Sequence, residues 1–325
     1  MPVPFPFGKI DSIGARANEL LSRPHFHGRV LAVVSSAVYL TSSEGEILWL
    51  GKSGLPRHSR AILGSFDPSA FRVGMSFRRN GTRLQFDNNV SLAWAEAPVW
   101  RPAAIRRSQI TPRTTVVARV RELLDTLPLR SCGDSLGQII PLVRAMLRGS
   151  APSGVPTSTP FVNAAIVPCT EIAMACWDRD MARVLRTARA LVGLGPGLTP
   201  GGDDFIGGLF FTTYHLCEAY AEIVPREQPP VDGWLRWAHA QTNSISYAIL
   251  SDHAHGRSIE PLHDWIAMAL RGEGLAEILI PVRRLLGVGD TSGWDMLAGA
   301  LTAMLSVRQE DTLCLTCSRL GRGPV

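Results

Sequence analysis

Residues 194–209 and 286–301 carry one pattern, L-G-x-G-x-T-x-G-x-D-x-x-x-G-x-L, without a gap, and eight of the sixteen positions are identical. Each copy follows a stretch of helical periodicity and precedes another. Internal duplication of a helix–loop–helix unit is the simple explanation. Any fold of this chain must therefore house two like glycine-rich loops, each opening a helix.

The local physics of each copy is readable. Thr199 suits a helix N-cap and Pro200 the first helical position; Thr291 and Ser292 repeat the arrangement. Asp203 and Asp295 then fall one turn into their helices, where the helix dipole favours a carboxylate. Gly207 and Gly299 follow four residues later on the same stripe. A glycine inside a helix costs about 1 kcal/mol relative to alanine, so two at matched positions predict close helix–helix approach there. The two helix starts would then present both loops to one pocket.

Such a pocket suits anions, because glycine-rich backbone approaches a ligand closely and free N–H groups point out of a helix start. Asp203, Asp204 and Asp295 oppose an anion, which leaves two readings. Either a Mg²⁺ on Asp203 and Asp204 bridges to phosphate oxygens, or one aspartate is a general base. The glycines alone are explained as well by tight turns and packing. The first copy, with Gly195, Gly197, Gly201 and Gly202 ahead of Asp203-Asp204, holds more glycine than a turn needs; the second, with Trp294 and Met296, looks more structural.

The rest of the chain reads as α+β. Residues 1–112 are expected to form a small antiparallel β-rich domain, with strands over 28–40, 46–50, 71–79, 82–87 and 90–94. Asn80-Gly81 is the strongest hairpin signal, of type I′. Residues 113–325 are expected to form a mainly α-helical domain. Its helices are placed at 116–127, 136–147, 171–191, 205–220, 234–250, 261–270, 275–286 and 295–307, with loops at 150–160 and 225–233. Thr242 and Ser246 belong to a polar patch on an otherwise apolar helix. They either satisfy core hydrogen bonds or line the pocket. His253-x-His255-Gly256-Arg257 reads as the end of that helix, with Gly256 closing it. Lys52 either reaches the pocket or sits in a surface turn.

Charge and cysteines narrow the class. The net charge is +5, and Lys9 and Lys52 are the only lysines beside many arginines. The arginines are scattered and not interleaved with aromatics, so no nucleic-acid partner is expected. Nothing reads as a membrane span or secretory signal, and a cytoplasmic location is expected. Cys314-x-x-Cys317 has metal or redox spacing but no second pair, so incidental thiols are the better reading. No strand–GxxxxGK[ST]–helix pattern is present, which argues against a P-loop.

The segment Gly195-x-Gly197-Leu198-Thr199-Pro200-x-Gly202-Asp203-Asp204-Phe205-x-x-Gly208, with Thr291-Ser292-Gly293-x-Asp295-Met296-Leu297-Ala298-Gly299, resembles the AllH family of oxamate carbamoyltransferase subunits. The spacing from Thr242 and Ser246 through Gly256 to the second loop is similar too. The resemblance implies exchange of carbamoyl phosphate and oxamate with phosphate and oxalurate in allantoin breakdown, alongside FdrA-type companion subunits. Carried onto these residues, it implies phosphate held by Gly195, Gly197, Thr199, Gly201 and Gly202. Thr291, Ser292, Gly293 and Asp295 would face it, and Arg257 would pair with the oxamate carboxylate. A non-catalytic subunit, or a different phosphate-handling transferase, remains as the competing expectation.

Overall fold

The computed structural model describes residues 10–88, 90–150, 159–221 and 231–308. Residues 314 and 317, and most of the loops expected at 150–160 and 225–233, lie outside them.

The fold is α+β: a curled mixed sheet of nine strands precedes a helical region. The strands are β1 (Ile10–Gly14), β2 (His27–Val33), β3 (Ala37–Ser42), β4 (Ile47–Lys52), β5 (Ala61–Gly64), β6 (Ser76–Asn80), β7 (Arg83–Phe86), β8 (Ser91–Ala93) and β9 (Val99–Trp100), in the order β8-β7-β6-β2-β3-β4-β5-β1-β9. Most neighbours are antiparallel, but β4 with β5 and β1 with β9 pair in parallel, so the sheet is not the antiparallel one expected. Helix α1 (Ala15–Ser22) buries Ala17, Leu20 and Leu21 in the core of this sheet with Ile13, Leu40, Leu50 and Phe86.

Two strand readings change. The apolar run over 28–40 is a hairpin, β2 and β3, whose turn is closed by Val34 N–H donating to Ala37 O at 2.9 Å. A continuous apolar run hides a two-residue turn. The Asn80-Gly81 hairpin forms, but Asn80 pairs with Arg83, so the central residues are Gly81 and Thr82. Only Gly81, at φ 61°, has positive φ there, which is the pattern of a type II′ turn.

The helical region comprises α2 (Arg113–Thr126), α3 (Ile140–Arg148), α4 (Pro160–Asp178), α5 (Met181–Ala188), α6 (Gly201–Ala219), α7 (Val231–Ala238), α8 (Ser244–Ala254), α9 (Glu260–Arg271), α10 (Leu275–Leu286) and α11 (Ser292–Ala303). Two helices expected to be continuous are broken. Arg179, in the left-handed conformation at φ 58°, ends α4, and Asp180 caps α5 by accepting the Arg183 N–H. Asn243 caps α8 by accepting from Ile245 and Ser246 N–H, which cuts the expected 234–250 helix in two. In both places a side-chain acceptor restarts the chain that apolar periodicity alone would have run on. Among the described residues, α4 is the one helix long and apolar enough to cross a membrane by composition.

The glycine-rich helices lie at the centre. From Gly201 to Thr213 α6 is buried all round, and α11 is buried from Gly293 to Ala303. The sheet covers this centre from one side. Tyr39 and Ile47 pack with Leu198 of the first loop and with Ile245, Ala248 and Ile249 of α8.

Candidate functional site

The two glycine loops converge. Thr199 and Ser292 share a hydrogen bond at 3.2 Å between their hydroxyls. Helix α6 starts one residue later than expected: Pro200 occupies the N-cap position, and Thr199 spends its hydroxyl across the loops instead of capping its own helix. Helix α11 has Thr291 at its N-cap, with no side-chain capping bond.

The structural repeat is shifted by one residue from the pattern of identities. The N-cap Pro200 corresponds to Thr291, so Asp204, not Asp203, is the counterpart of Asp295. Packing shows the same register. A β-carbon on Gly208 would lie 2.0 Å from Met296 O, and one on Gly299 would lie 1.9 Å from Phe205 O. Each helix thus sets a glycine against the backbone of the other at equivalent positions, as about a local two-fold axis. Gly202 and Gly293 are equivalent as well, packed against Leu191 O and Leu285 O respectively. Gly207 does not face α11; its missing side chain makes room for the His253 imidazole of α8.

Asp203 is a structural tie. Its Oδ1 accepts the Gly193 N–H at 2.8 Å, and its Oδ2 accepts the hydroxyls of Ser246 (2.6 Å) and Thr242. Thr242 and Ser246 therefore satisfy a buried carboxylate and hold the loop to the start of α8. Asn243 adds a bond from its side-chain amide to Leu198 O at 2.9 Å. With protein donors on both oxygens, Asp203 does not fit the Mg²⁺ expected on it with Asp204. Among the described residues no group of three His, Cys, Asp or Glu side chains is placed to hold a metal.

Asp204 and Asp295 are the reactive-looking pair. Both are buried, and each has an Oδ2 atom with no hydrogen-bond partner. Burial pushes the Asp204 carboxyl well above its usual range. The Ser292 and Thr199 hydroxyls beside it oppose that shift, while the Asp295 and Asp203 charges add to it. Burial likewise lifts Asp295 to about 7, against the Leu136 N–H, which donates to Oδ1 at 2.6 Å, and the Thr291 hydroxyl. The placement is crossed: Asp204 faces Ser292, the first residue of α11, and Asp295 Oδ2 lies against Gly201, the first residue of α6.

Gly195 (φ 115°) and Gly197 (φ 96°) use backbone conformations that L side chains rarely adopt. The N–H groups of Gly195, Gly197, Leu198, Thr199 and Gly201 have no partner among the described residues, nor do those of Gly289, Asp290, Thr291 and Ser292 in the second loop. The nearby N–H groups of Gly202 and Gly293 are used internally, on Leu194 O and Val288 O.

Sequence reasoning missed Phe161, whose ring lies against Gly195 and Gly201, and Tyr39, whose phenol is raised in pKa by burial and by the Asp204 charge. Both are remote in sequence from the loops, and no local signal marks them. Arg257 is not at the loops. It lies beyond the far end of α8, whose 11 residues span about 16 Å, and pairs with Asp252 at 3.0 Å. Lys52 is exposed at the end of β4, in the field of Asp67.

No curated protein and no solved structure matches the chain. Residues 191–304 match the family model described as oxamate carbamoyltransferase subunit AllH. That span, 114 of the 325 residues, holds both loops, α6, α8 and α11, and with them Asp203, Asp204 and Asp295, and over it the chain is similar to the AllH family.

Proposed function

We propose that this chain is the subunit of an oxamate carbamoyltransferase that binds carbamoyl phosphate, with the phosphate at the 194–201 loop. The observation that carries the reading is a set of loop N–H groups without a partner among the described residues, at the start of a buried helix and beside two buried carboxyls with unpartnered oxygens. Backbone N–H groups aimed at a phosphate stabilise it without cost of reorganisation, and they do so best where negative charge develops on the leaving group.

The reaction asks for little else. The oxamate amide nitrogen attacks the carbamoyl carbon, the bond from that carbon to the phosphate oxygen breaks, and the nitrogen gives up a proton. A carboxyl whose pKa lies near neutrality is matched to take that proton. Asp295, lifted to about 7, is the candidate, and Asp204, a buried carboxyl with an unpartnered oxygen, is the second group at the site. The second loop, with its own unpartnered N–H groups, is the natural seat for the oxamate carboxylate. Asp203, Thr242 and Ser246 are positioning residues, holding the first loop against α8. Residues 1–112 and 113–325 act as two domains, with the sheet closing over the first loop through Tyr39.

The family describes a subunit, which implies companion subunits in a complex. FdrA-type companions, a role in allantoin degradation and a cytoplasmic location complete the reading. The test is Asp204→Asn in the complex reconstituted from all its subunits, assayed for phosphate release from carbamoyl phosphate with oxamate. The expected result is loss of turnover with carbamoyl phosphate binding retained. Unchanged turnover removes Asp204 from the chemistry.

A further inference from the structure

A polar cleft, of about 900 Å³, opens where β9 and α1 of the sheet region meet the end of α8. Arg16, Arg60, Arg101 and Arg257 line it against only Glu19 and Glu46. Its floor is a buried ion cluster. Asp252, fully buried, receives Arg60 Nε at 2.7 Å and Nη2 at 3.0 Å, and the Ser59 hydroxyl at 3.3 Å. Burial alone would raise its pKa, but the Arg60 guanidinium overrides that and holds it at about 2. Arg60 also reaches Glu46, which Arg16 shares.

The cluster leaves positive charge over. Asp252 is shared by Arg60 and Arg257, the latter half-exposed at 48%, while Glu46 takes the rest of Arg60 and Arg16 is divided between Glu46 and Glu19. Arg101 of the same lining has no side-chain partner among the described residues, and neither has the side chain of Asn18 or the hydroxyl of Ser251. Four guanidiniums against the three carboxylates Glu19, Glu46 and Asp252 leave one positive charge over, at Arg101, beside the neutral donors of Asn18 and Ser251 in a cleft of ligand size. Guanidinium forks match phosphate and carboxylate oxygens in this geometry.

We propose that this cleft binds an organic anion, through a phosphate or carboxylate group held between Arg101 and Arg257. It is separate from the glycine loops: α8 carries Ser246 of the loop site at one end and Asp252 of the cleft at the other.

The test is calorimetric titration of the full-length chain with three probes, inorganic phosphate, AMP and citrate, on wild type, Arg101→Glu and Asp204→Asn. Arg101 is exposed and unpartnered, so its reversal leaves the fold intact. AMP or citrate is expected to bind wild type and Asp204→Asn alike, and Arg101→Glu roughly 10-fold or more weakly, the loss of one charge-assisted pair. AMP ahead of citrate assigns a phosphate ligand, and the reverse a carboxylate. Equal binding of all probes to wild type and Arg101→Glu, or no binding of AMP and citrate to either, overturns the proposal. Failure of the loop reading shows elsewhere, as unchanged turnover in Asp204→Asn.

Discussion

Gly299→Ala probes the contact on which the site geometry depends. A β-carbon there would lie 1.9 Å from Phe205 O and 3.0 Å from Leu209 N. Both are backbone atoms of a buried helix, so neither can rotate aside. Restoring a contact of about 3.5 Å means parting α6 from α11 by roughly 1.5 Å. Overpacking of this kind costs about 1–3 kcal/mol, and a backbone obstacle puts it at the top of that range. Alanine returns about 1 kcal/mol of helix propensity, which leaves a net loss of about 2 kcal/mol. With a urea slope of about 2–3 kcal/mol/M, the midpoint of unfolding, followed by far-ultraviolet circular dichroism, should fall by roughly 0.7–1 M. Gly233→Ala is the control: it lies inside α7 with its nearest neighbour at 3.7 Å, so alanine should raise the midpoint. A Gly299→Ala midpoint at or above wild type, with the control behaving, would refute the close approach.

Three further outcomes are expected. Asp252→Asn removes the buried charge that Arg60 and Arg257 share and should destabilise by about 3 kcal/mol in thermal or urea unfolding; a loss below 1 kcal/mol contradicts the cluster. Because the folded pKa of Asp252 is depressed to about 2, its contribution is present above the unfolded value near 4 and is lost as pH falls through 2, which acid unfolding of wild type against the variant would show. Asp295 has the opposite sign. Its folded pKa is raised to about 7, so wild type loses stability from this group as pH rises from about 4 through 7, and Asp295→Asn should flatten that decline; identical pH profiles would sink the assignment. Ser246→Ala removes one of three donors to Asp203 and should cost about 1.5–3 kcal/mol and weaken carbamoyl phosphate binding; full binding affinity would mean that the tie does not position the loop.

Much of the helical centre was legible because its signals are local. Glycine spacing marked both loops, and apolar periodicity marked α2, α9 and α10 within a few residues. The pairing of the repeats was not, because identity and structure disagree by one position. Identical letters set Asp203 beside Asp295, whereas the N-caps and the reciprocal glycines set Asp204 beside Asp295. A one-residue difference in loop path leaves no mark on a gapless comparison. The breaks before Met181 and Ser244 fall in the short polar stretches 178–180 and 241–244, which apolar periodicity bridged and in which Asp180 and Asn243 act as caps. Strands β1, β5 and β9 were missed, since none closes a hairpin with the strand next to it in sequence, and the parallel pairing of β4 with β5 is a property of topology. The salt bridge from Arg60 to Asp252, like the contact of Tyr39 with the loop, joins residues that no local pattern connects.

The central claim is that the backbone of the first loop receives the phosphate. Amide-resolved nuclear magnetic resonance of the ¹⁵N-labelled chain, titrated with carbamoyl phosphate, reads those groups one by one. The account predicts saturable shifts at Gly195, Gly197, Leu198, Thr199 and Gly201, with Gly202, whose N–H is held by Leu194 O, responding less. Saturable shifts confined to other parts of the chain, with the amides of the first loop unmoved, would contradict it.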